Sequence, residues 1–270
     1  MDEGLNSILE IDKPENSEKT VIRTEAYHYL KDPTSLTNAV KISYWIVFFI
    51  CIFGIISNII QLDLINKFRI TRAEAEANDT RQLIIFIIAI IAGLTNRVLF
   101  FMWVYRANLN CHGFNAQGMQ FTPGWSVGWF FIPFANLFKP YQVIKEIWHV
   151  SDDPQEWEKN QYSKSSTLPA LWWGLWLLSG IFSMVSYFVS RSIHTRRELE
   201  TSTVIAIIGD IIVLPIIMVF IALVKNIFER QDKLVKSGGY TTTEYLCSEC
   251  NTEVKETDKF CSKCGANLEQ

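Results

Sequence analysis

Four stretches of the sequence are almost wholly hydrophobic, and the segments between them are polar. These stretches cover residues 42–62, 83–105, 168–190 and 202–224. A helix that rises about 1.5 Å per residue needs about 20 apolar residues to cross a hydrocarbon core about 30 Å thick. In lipid, a lone segment satisfies its own backbone only as a helix. The pattern therefore predicts an all-α integral membrane protein with four transmembrane helices.

The segment between the second and third stretches, residues 121–150, follows a different pattern. Its apolar part, residues 125–138, is too short for a comfortable span, and Pro133 interrupts it. We therefore predict a re-entrant or interfacial element rich in Trp and Pro, with a fifth span as the alternative. Pro140 suits the first turn of a following amphipathic helix. This helix is expected to lie on the bilayer or to dock on the bundle, with four polar residues on the face opposite its apolar one: Gln142, Lys145, Glu146 and His149.

The two ends of the chain are both polar, but they differ in composition and in the structure that we expect of them. Residues 1–40 carry eight acidic and four basic residues, a composition typical of a mostly disordered acidic tail. A membrane domain is expected over residues 41–236, with its last helix continuing beyond the bilayer. Ser237, Gly238 and Gly239 then end that helix and begin a short linker over residues 237–243. Residues 244–270 form a separate module.

Four cysteines in this last module form two Cys-x-x-Cys pairs separated by ten residues. The pairs are Cys247 with Cys250 and Cys261 with Cys264. Two such pairs can supply four thiolates to a structural Zn²⁺ ion, and four protein ligands leave no position for a catalytic water. A pair of disulfides and a redox-active Cys-x-x-Cys are the alternatives. The residues that follow the pairs, Asn251 and Gly265, tolerate the left-handed backbone of a tight chelating loop.

A module of this size has few side chains with which to build a core. Val254, Phe260 and Leu268 are the candidates for a small apolar cluster, so a bound metal must supply most of the folding free energy. The segment resembles the short zinc-ribbon modules that are appended to many prokaryotic membrane proteins. Of the other two cysteines, Cys51 is expected to be a packed thiol within the bilayer and Cys111 a loop thiol.

The charged residues of the chain indicate which partners it binds and how it is oriented in the membrane. The chain has 25 basic and 28 acidic residues, and the ribbon segment has three basic and six acidic ones, so nucleic-acid binding is not expected. The lipid bilayer and a protein partner that contacts the ribbon are the expected partners. Lys and Arg near the spans number eleven on the face that holds the termini and seven on the other. This weak excess, with the reducing environment that thiolates need, places both termini in the cytoplasm and the protein in the plasma membrane.

Two charged residues, Arg97 and Asp210, lie inside the predicted spans, and the polar residue Asn96 is next to Arg97. Asn96 and Arg97 belong to the second span and Asp210 to the fourth. A charge at the bilayer centre costs at least about 2.5 kcal/mol on insertion scales, so such a group usually faces a partner inside the bundle. An Arg97 to Asp210 ion pair, separate pairing with polar neighbours, and a polar cavity that serves as an ion path are the alternatives.

The central region carries a family resemblance. Its tryptophan, proline and asparagine spacing resembles the DUF4328 family of bacterial membrane proteins, from about residue 83 to the end of the fourth span. The residues that carry the resemblance are Trp103, Arg106, Asn110, Pro123, Gly124, Trp125, Trp129, Pro133, Asn136, Pro140, Glu146 and Trp148. The resemblance implies a four-helix membrane domain of uncharacterised function and assigns no catalytic residue.

Two motifs of common enzyme sites are absent from the sequence. It contains no H-E-x-x-H motif and no P-loop. We therefore expect a non-enzymatic scaffold or regulatory protein whose zinc ribbon makes protein contacts. The alternative is a small transporter or channel that uses Asn96, Arg97 and Asp210, and a weaker alternative is a membrane-embedded enzyme.

Overall fold

Four long helices follow the four hydrophobic stretches in a computed structural model that describes residues 8–11, 18–159, 166–191, 194–247, 249–254 and 258–268. The main helices are α1 (Thr34–Asn66), α2 (Arg72–Gly113), α3 (Pro123–Gly128), α4 (Lys139–Val150), α5 (Thr167–Ser190) and α6 (Arg196–Lys236), and the strands are β1 (Ile8–Ile11), β2 (Glu18–Glu25), β3 (Tyr240–Cys247) and β4 (Glu253–Val254). The chain divides into two units, one of Met1–His28 with Asp232–Gln270 and the other of Tyr29–Gln231.

The long helices α1, α2, α5 and α6 are each apolar enough to cross a membrane. Large apolar side chains along them face outwards, and Phe53 and Ile181 are 63% and 66% exposed. An outer surface of this kind is stable in lipid and unfavourable in water. The prediction of a membrane protein with four spanning helices is therefore confirmed. The last helix continues through Pro215 and ends at Lys236, just before the predicted stop.

Hydrogen bonds between side chains set the register of α1 and α2, which are antiparallel. Ser43 donates to Asn96 Oδ1 over 3.2 Å near the start of α1. Near its end, Gln82 donates to Asn58 over 3.2 Å. Gln61 extends the polar contacts to α6, where it donates to the Thr203 hydroxyl over 2.7 Å. Such bonds between helices are favourable in lipid because the alternative is an unsatisfied polar group.

A large cluster of buried side chains lies where α1 begins, α2 ends, α5 begins and α6 approaches its end. Phe220 on α6 is fully buried there, and its ring contacts aromatic rings on the other three helices. The distances between ring centroids are 4.3 Å to Tyr44, 5.4 Å to Phe100, 6.0 Å to Trp103 and 5.7 Å to Trp172. One side chain therefore joins all four spanning helices.

The central segment is broken into short pieces, as predicted. Helix α3 is followed by two turns of 3₁₀ helix, Trp129–Phe131 and Ala135–Leu137, with Pro133 between them. None of these described pieces is long enough to span a membrane, so the alternative of a fifth span is wrong. Phe131 and Phe134 are 68% and 83% exposed. Exposed aromatic rings of this kind suit an interfacial element in contact with lipid.

Helix α4 docks on the bundle, which was one of the two predicted placements. Val143, Ile144 and Ile147 are fully buried. Two residues predicted to lie on its polar face, Glu146 and His149, are also buried, with 5% and 2% exposure. That part of the prediction is wrong because α4 is enclosed by neighbouring segments on more than one side, which helical periodicity alone does not reveal.

The sheet of the first unit joins the two ends of the chain. Its strand order is β1-β2-β3-β4, every neighbouring pair is antiparallel, and Glu25 is opposite Tyr240. For the described residues, this corrects the predictions of a disordered tail over 1–40 and of a linker over 237–243. The acidic composition indicated disorder, but β2 contains the strand-forming run Thr20, Val21 and Ile22, and β3 supplies the backbone partners that a lone tail would lack.

The aromatic junction predicts a specific loss of stability. Phe220→Ala should lower the free energy of unfolding by about 3 kcal/mol or more, because it leaves a cavity in contact with four helices. Phe188→Ala is the matched control, since Phe188 is 59% exposed on α5. Melting temperatures in the same detergent measure both effects. Equal melting temperatures for the two variants would contradict this role of Phe220.

Candidate functional site

The four C-terminal cysteines converge on one point. Their sulfur atoms all lie within 4.8 Å of one another. The Sγ atoms of Cys247 and Cys264 are 3.6 Å apart, as are those of Cys250 and Cys261. Four sulfurs about 2.3 Å from a tetrahedral zinc ion would be separated by about 3.8 Å. The quartet therefore has the size of a four-thiolate metal centre.

Two similar loops create this arrangement. In the first, the backbone N–H of Asn251 donates to the carbonyl of Cys247, and Asn251 has a φ of 50°. In the second, Gly265 donates to Cys261 and has a φ of 75°. The left-handed backbone predicted for both residues is confirmed. Each loop turns its two sulfurs towards the same side.

Hydrogen bonds within the loops lower the pKa of two of the four thiols, those of Cys250 and Cys261. Hydrogen bonding with the side chain and backbone of Thr252 lowers the pKa of Cys250 to about 6. Backbone N–H groups of Cys264 and Lys263 lower the pKa of Cys261. A backbone bond from Ala266 also lowers the pKa of Cys264, but its sulfur neighbours and burial raise it overall to about 12. Four adjacent thiolates repel one another, so a cation is needed for all four to ionise.

The apolar support of this centre is smaller than predicted. Val254 and Leu268 are buried with Cys247 and Cys261, as expected of two of the three candidates. Phe260 is 60% exposed, so its predicted place in the cluster is wrong. Phe260 forms an isolated bridge with Asn267 that fixes its backbone and leaves its ring outside. The small cluster strengthens the argument that metal binding stabilises this module.

The residues singled out inside the spans, Asn96, Arg97 and Asp210, do not form one site. Asn96 is buried and accepts the hydrogen bond from Ser43. Ser43 lies at the start of the first span, so this bond places Asn96 and the adjacent Arg97 near its boundary instead of at its centre. Arg97 is exposed. In the described part of the chain, no ion pair joins it to Asp210, which faces α1 beside Gly54. The alternative of an Arg97 to Asp210 ion pair is therefore wrong.

Residues of the family resemblance hold the ends of helices together. Asn110 is fully buried, accepts from the backbone N–H of Lys31 and donates to the Lys31 carbonyl. Arg106 donates to the carbonyl of Asp32. The guanidinium of Arg230 lies 3.8 Å from the ring centroid of Trp148. These contacts tie the segment before α1 to α2, and α4 to α6.

Other residues of the resemblance shape the central element. Pro123 and Pro140 stand in the first turns of α3 and α4, where a missing N–H costs nothing. The rings of Trp125 and Trp129 lie 5.1 Å apart. The Oδ1 atom of Asn136 is buried and accepts no hydrogen bond from the described residues. Gly124 has open space where a side chain would stand, so nothing in its contacts explains the glycine.

Glu146 secures the loop between α2 and α3. Its carboxylate accepts hydrogen bonds from the backbone N–H groups of Gln120, over 2.7 Å, and Phe121, over 3.2 Å. Burial raises the pKa of this carboxyl to about 7, although both hydrogen bonds act in the opposite direction. The sequence identified Glu146 only through the family resemblance, because its spacing placed it on a solvated face.

The sequence patterns did not predict a buried polar cluster that lies near Glu146. Gln231 is 1% exposed and donates to Ser151 Oγ over 3.0 Å and to the carbonyl of Ala107 over 3.1 Å. Cys111, predicted to be a loop thiol, is instead a fully buried residue of α2 that contacts Ser151 and Gln231. No local pattern marks these residues, since they meet only when α2, α4 and α6 pack together.

The metal centre predicts a defined stoichiometry. Purified full-length protein should contain one metal ion per chain, measured by atomic emission after dialysis. Cys247→Ser should lose most of this metal because it removes one of four ligands. Cys51→Ser, on α1, should retain it. A metal content near zero in the unchanged protein, or an unchanged content in Cys247→Ser, would contradict the assignment.

The raised pKa of Glu146 predicts a pH dependence of stability. A folded-state pKa of about 7, above the reference value of 4.5, means that the folded protein holds a proton which the unfolded chain releases. The stability from this group is therefore greatest below pH 4.5 and is lost as the pH rises to 7. The melting temperature should fall more steeply over this interval in the unchanged protein than in Glu146→Gln. Parallel curves would refute this role of the carboxyl.

Comparison with known proteins shows that two stretches of the chain each match a protein family. Residues 246–268 match a family described as a zinc-ribbon domain. No curated protein and no solved structure matches the chain. Residues 66–229 match a family described as a domain of unknown function, DUF4328. This match covers more than half of the chain and includes α2 to α5 and most of α6, so the protein belongs to the DUF4328 family.

Proposed function

We propose that this protein is a non-enzymatic membrane scaffold or regulator whose zinc ribbon binds a protein partner. The observation that carries the proposal is the convergence of four sulfurs at the dimensions of a closed metal site. Four protein ligands saturate tetrahedral zinc, so such a centre stabilises a fold and leaves no position for a substrate or catalytic water. The metal we propose is Zn²⁺, because an all-thiolate tetrahedral set suits it.

We also propose that both termini lie in the cytoplasm of a plasma-membrane protein. Strands β2 and β3 bring the two ends of the chain into one sheet, which fits an even number of crossings. The weak excess of basic residues on that face supports the cytoplasmic side. A reducing compartment also keeps the four thiols available to metal instead of oxidising them to disulfides.

The ribbon offers an anchor for a protein partner. Phe260 precedes Cys261, and its ring is 60% exposed on a backbone that the metal centre would hold in place. Aromatic anchors on rigid backbones contribute strongly to protein interfaces. The segment around it has twice as many acidic as basic residues, which disfavours nucleic acid as the partner.

A transporter or channel is the second candidate function, and one observation favours it. Asp210 lines a cleft of about 220 Å³ between spanning helices. A carboxylate at membrane depth often marks an ion or substrate path. Asn96 and Arg97 do not line this cleft, so the site of this candidate differs from the one predicted from the sequence.

Photocrosslinking tests the proposed contact in the intact protein. Replacing Phe260 with the photoreactive analogue benzoylphenylalanine should yield a discrete adduct with one protein in living cells. The same replacement at Phe68, which is 93% exposed in the connection between α1 and α2, is the matched control and should not yield that adduct. A Cys261→Ser background should remove the adduct, because the ribbon loses its metal.

Three results would count against the ribbon contact. They are the absence of an adduct from position 260, an identical adduct from position 68, and an adduct that persists in the Cys261→Ser background. A solute flux that Asp210→Asn stops and that ribbon variants leave unchanged would support the transporter instead.

A further inference from the structure

The cleft beside Asp210 lies between three spanning helices. Its walls come from residues 47–58 of α1, residues 82–92 of α2 and Asp210 of α6, and it measures about 220 Å³. Most of its lining is hydrocarbon, and the polar groups are concentrated on Asp210, Asn58 and Gln82. The cleft therefore combines an apolar wall with a few polar groups, which is the usual composition of a small-molecule site.

The carboxylate of Asp210 has no partner in the described part of the chain. No hydrogen bond or ion pair reaches it there, and the exposed Arg97 lies near the span boundary instead. Gly54 on α1 makes room for it, because a Cβ at this position would lie 3.0 Å from Asp210 Oδ2. An ionised group inside a membrane protein is costly without a partner. Its chemistry calls for a cation or another hydrogen-bond donor.

Two amides add hydrogen-bonding capacity to the same cleft. Gln82 Nε2 donates to Asn58 Oδ1 over 3.2 Å. This bond orients both side chains and leaves the carbonyl oxygen of Gln82 able to accept from another donor. The nearest basic side chain on this part of α2, Arg81, is already engaged, since it donates to Ser57 over 2.9 Å and to Asn78 over 2.6 Å.

We propose that this cleft binds a small organic monocation, with its ammonium group on Asp210 and its apolar body between α1 and α2. One carboxylate matches one positive charge, and the hydrocarbon wall suits an alkyl chain. A divalent metal ion is a poor match, because Ca²⁺ takes six to eight oxygen ligands and Mg²⁺ an octahedral set. The site is separate from the ribbon and does not rest on the proposed scaffold function.

Titration with n-butylammonium chloride tests this site in the detergent-solubilised full chain. Isothermal titration calorimetry should show saturable binding of one butylammonium per chain. Butan-1-ol, which has the same alkyl chain without the charge, and sodium chloride should show none at the same concentrations. Asp210→Asn should weaken butylammonium binding by about tenfold or more, because it removes the charged partner.

Two further variants separate lost binding from lost folding. Ala92→Leu keeps the carboxylate and fills the apolar part of the cleft, so it should also weaken binding. Asp63→Asn replaces an exposed carboxylate on α1 and should bind as the unchanged protein does. Without ligand, Asp210→Asn should melt at an equal or higher temperature than the unchanged protein, since it removes a charge that lacks a partner.

Each outcome of these experiments either supports the proposed binding site or overturns it. Binding that requires Asp210, requires the charge of butylammonium and falls in Ala92→Leu supports the site. Equal binding of butylammonium by Asp210→Asn and the unchanged protein would overturn it, as would equal binding of butan-1-ol. A large drop in the melting temperature of ligand-free Asp210→Asn would also overturn it, because the carboxylate would then serve the fold.

Discussion

The outer faces of the four long helices require lipid as their solvent. The outer faces of α1, α2, α5 and α6 carry large apolar side chains such as Phe53, Ile91, Ile181 and Met184, each at least 60% exposed. In water, burial of apolar surface stabilises the folded chain by about 25 cal/mol per Å². Exposing these faces to water would therefore oppose folding. In lipid the same faces cost little, and each helix satisfies its own backbone. Packing and polar contacts then decide how the helices associate.

Packing between the spanning helices is uneven, and this unevenness separates stability from a candidate site. The rings around Phe220 join all four helices at the end where α1 begins, and α4 closes the same end with fully buried Ile144 and Ile147. Farther along α1, the small residue Gly54 leaves space beside Asp210. A tightly packed end can therefore hold the helices, while in the cleft the Asp210 carboxylate has no partner among the described residues. A metal ion bound by the four cysteines would similarly supply the stability that the small cluster around Val254 and Leu268 cannot provide.

Properties that depend on composition and local spacing could be predicted from the sequence. The four spans, the broken segment around Pro133, the helical start at Pro140 and the four-cysteine cluster belong to this class. Properties that depend on tertiary contacts could not be predicted from the sequence. Periodicity placed Glu146 on a solvated face, although the segment from Gln120 to Phe121 covers it. Hydrophobic length placed Arg97 deep in a span, whereas the Ser43 to Asn96 bond sets the register that brings it to the boundary. The pairing of β2 with β3 joins residues more than 200 positions apart, which local composition does not reveal.

Alkaline carbonate extraction of membranes from cells that make the full-length chain tests whether lipid solvates the four long helices. This treatment releases proteins bound by surface charge and leaves those whose helices are solvated by lipid. If lipid solvates these helices, the protein should stay in the membrane pellet at pH 11 and enter solution only when detergent is added. Its release into the carbonate supernatant as a monodisperse species without detergent would show that the four helices do not span a membrane.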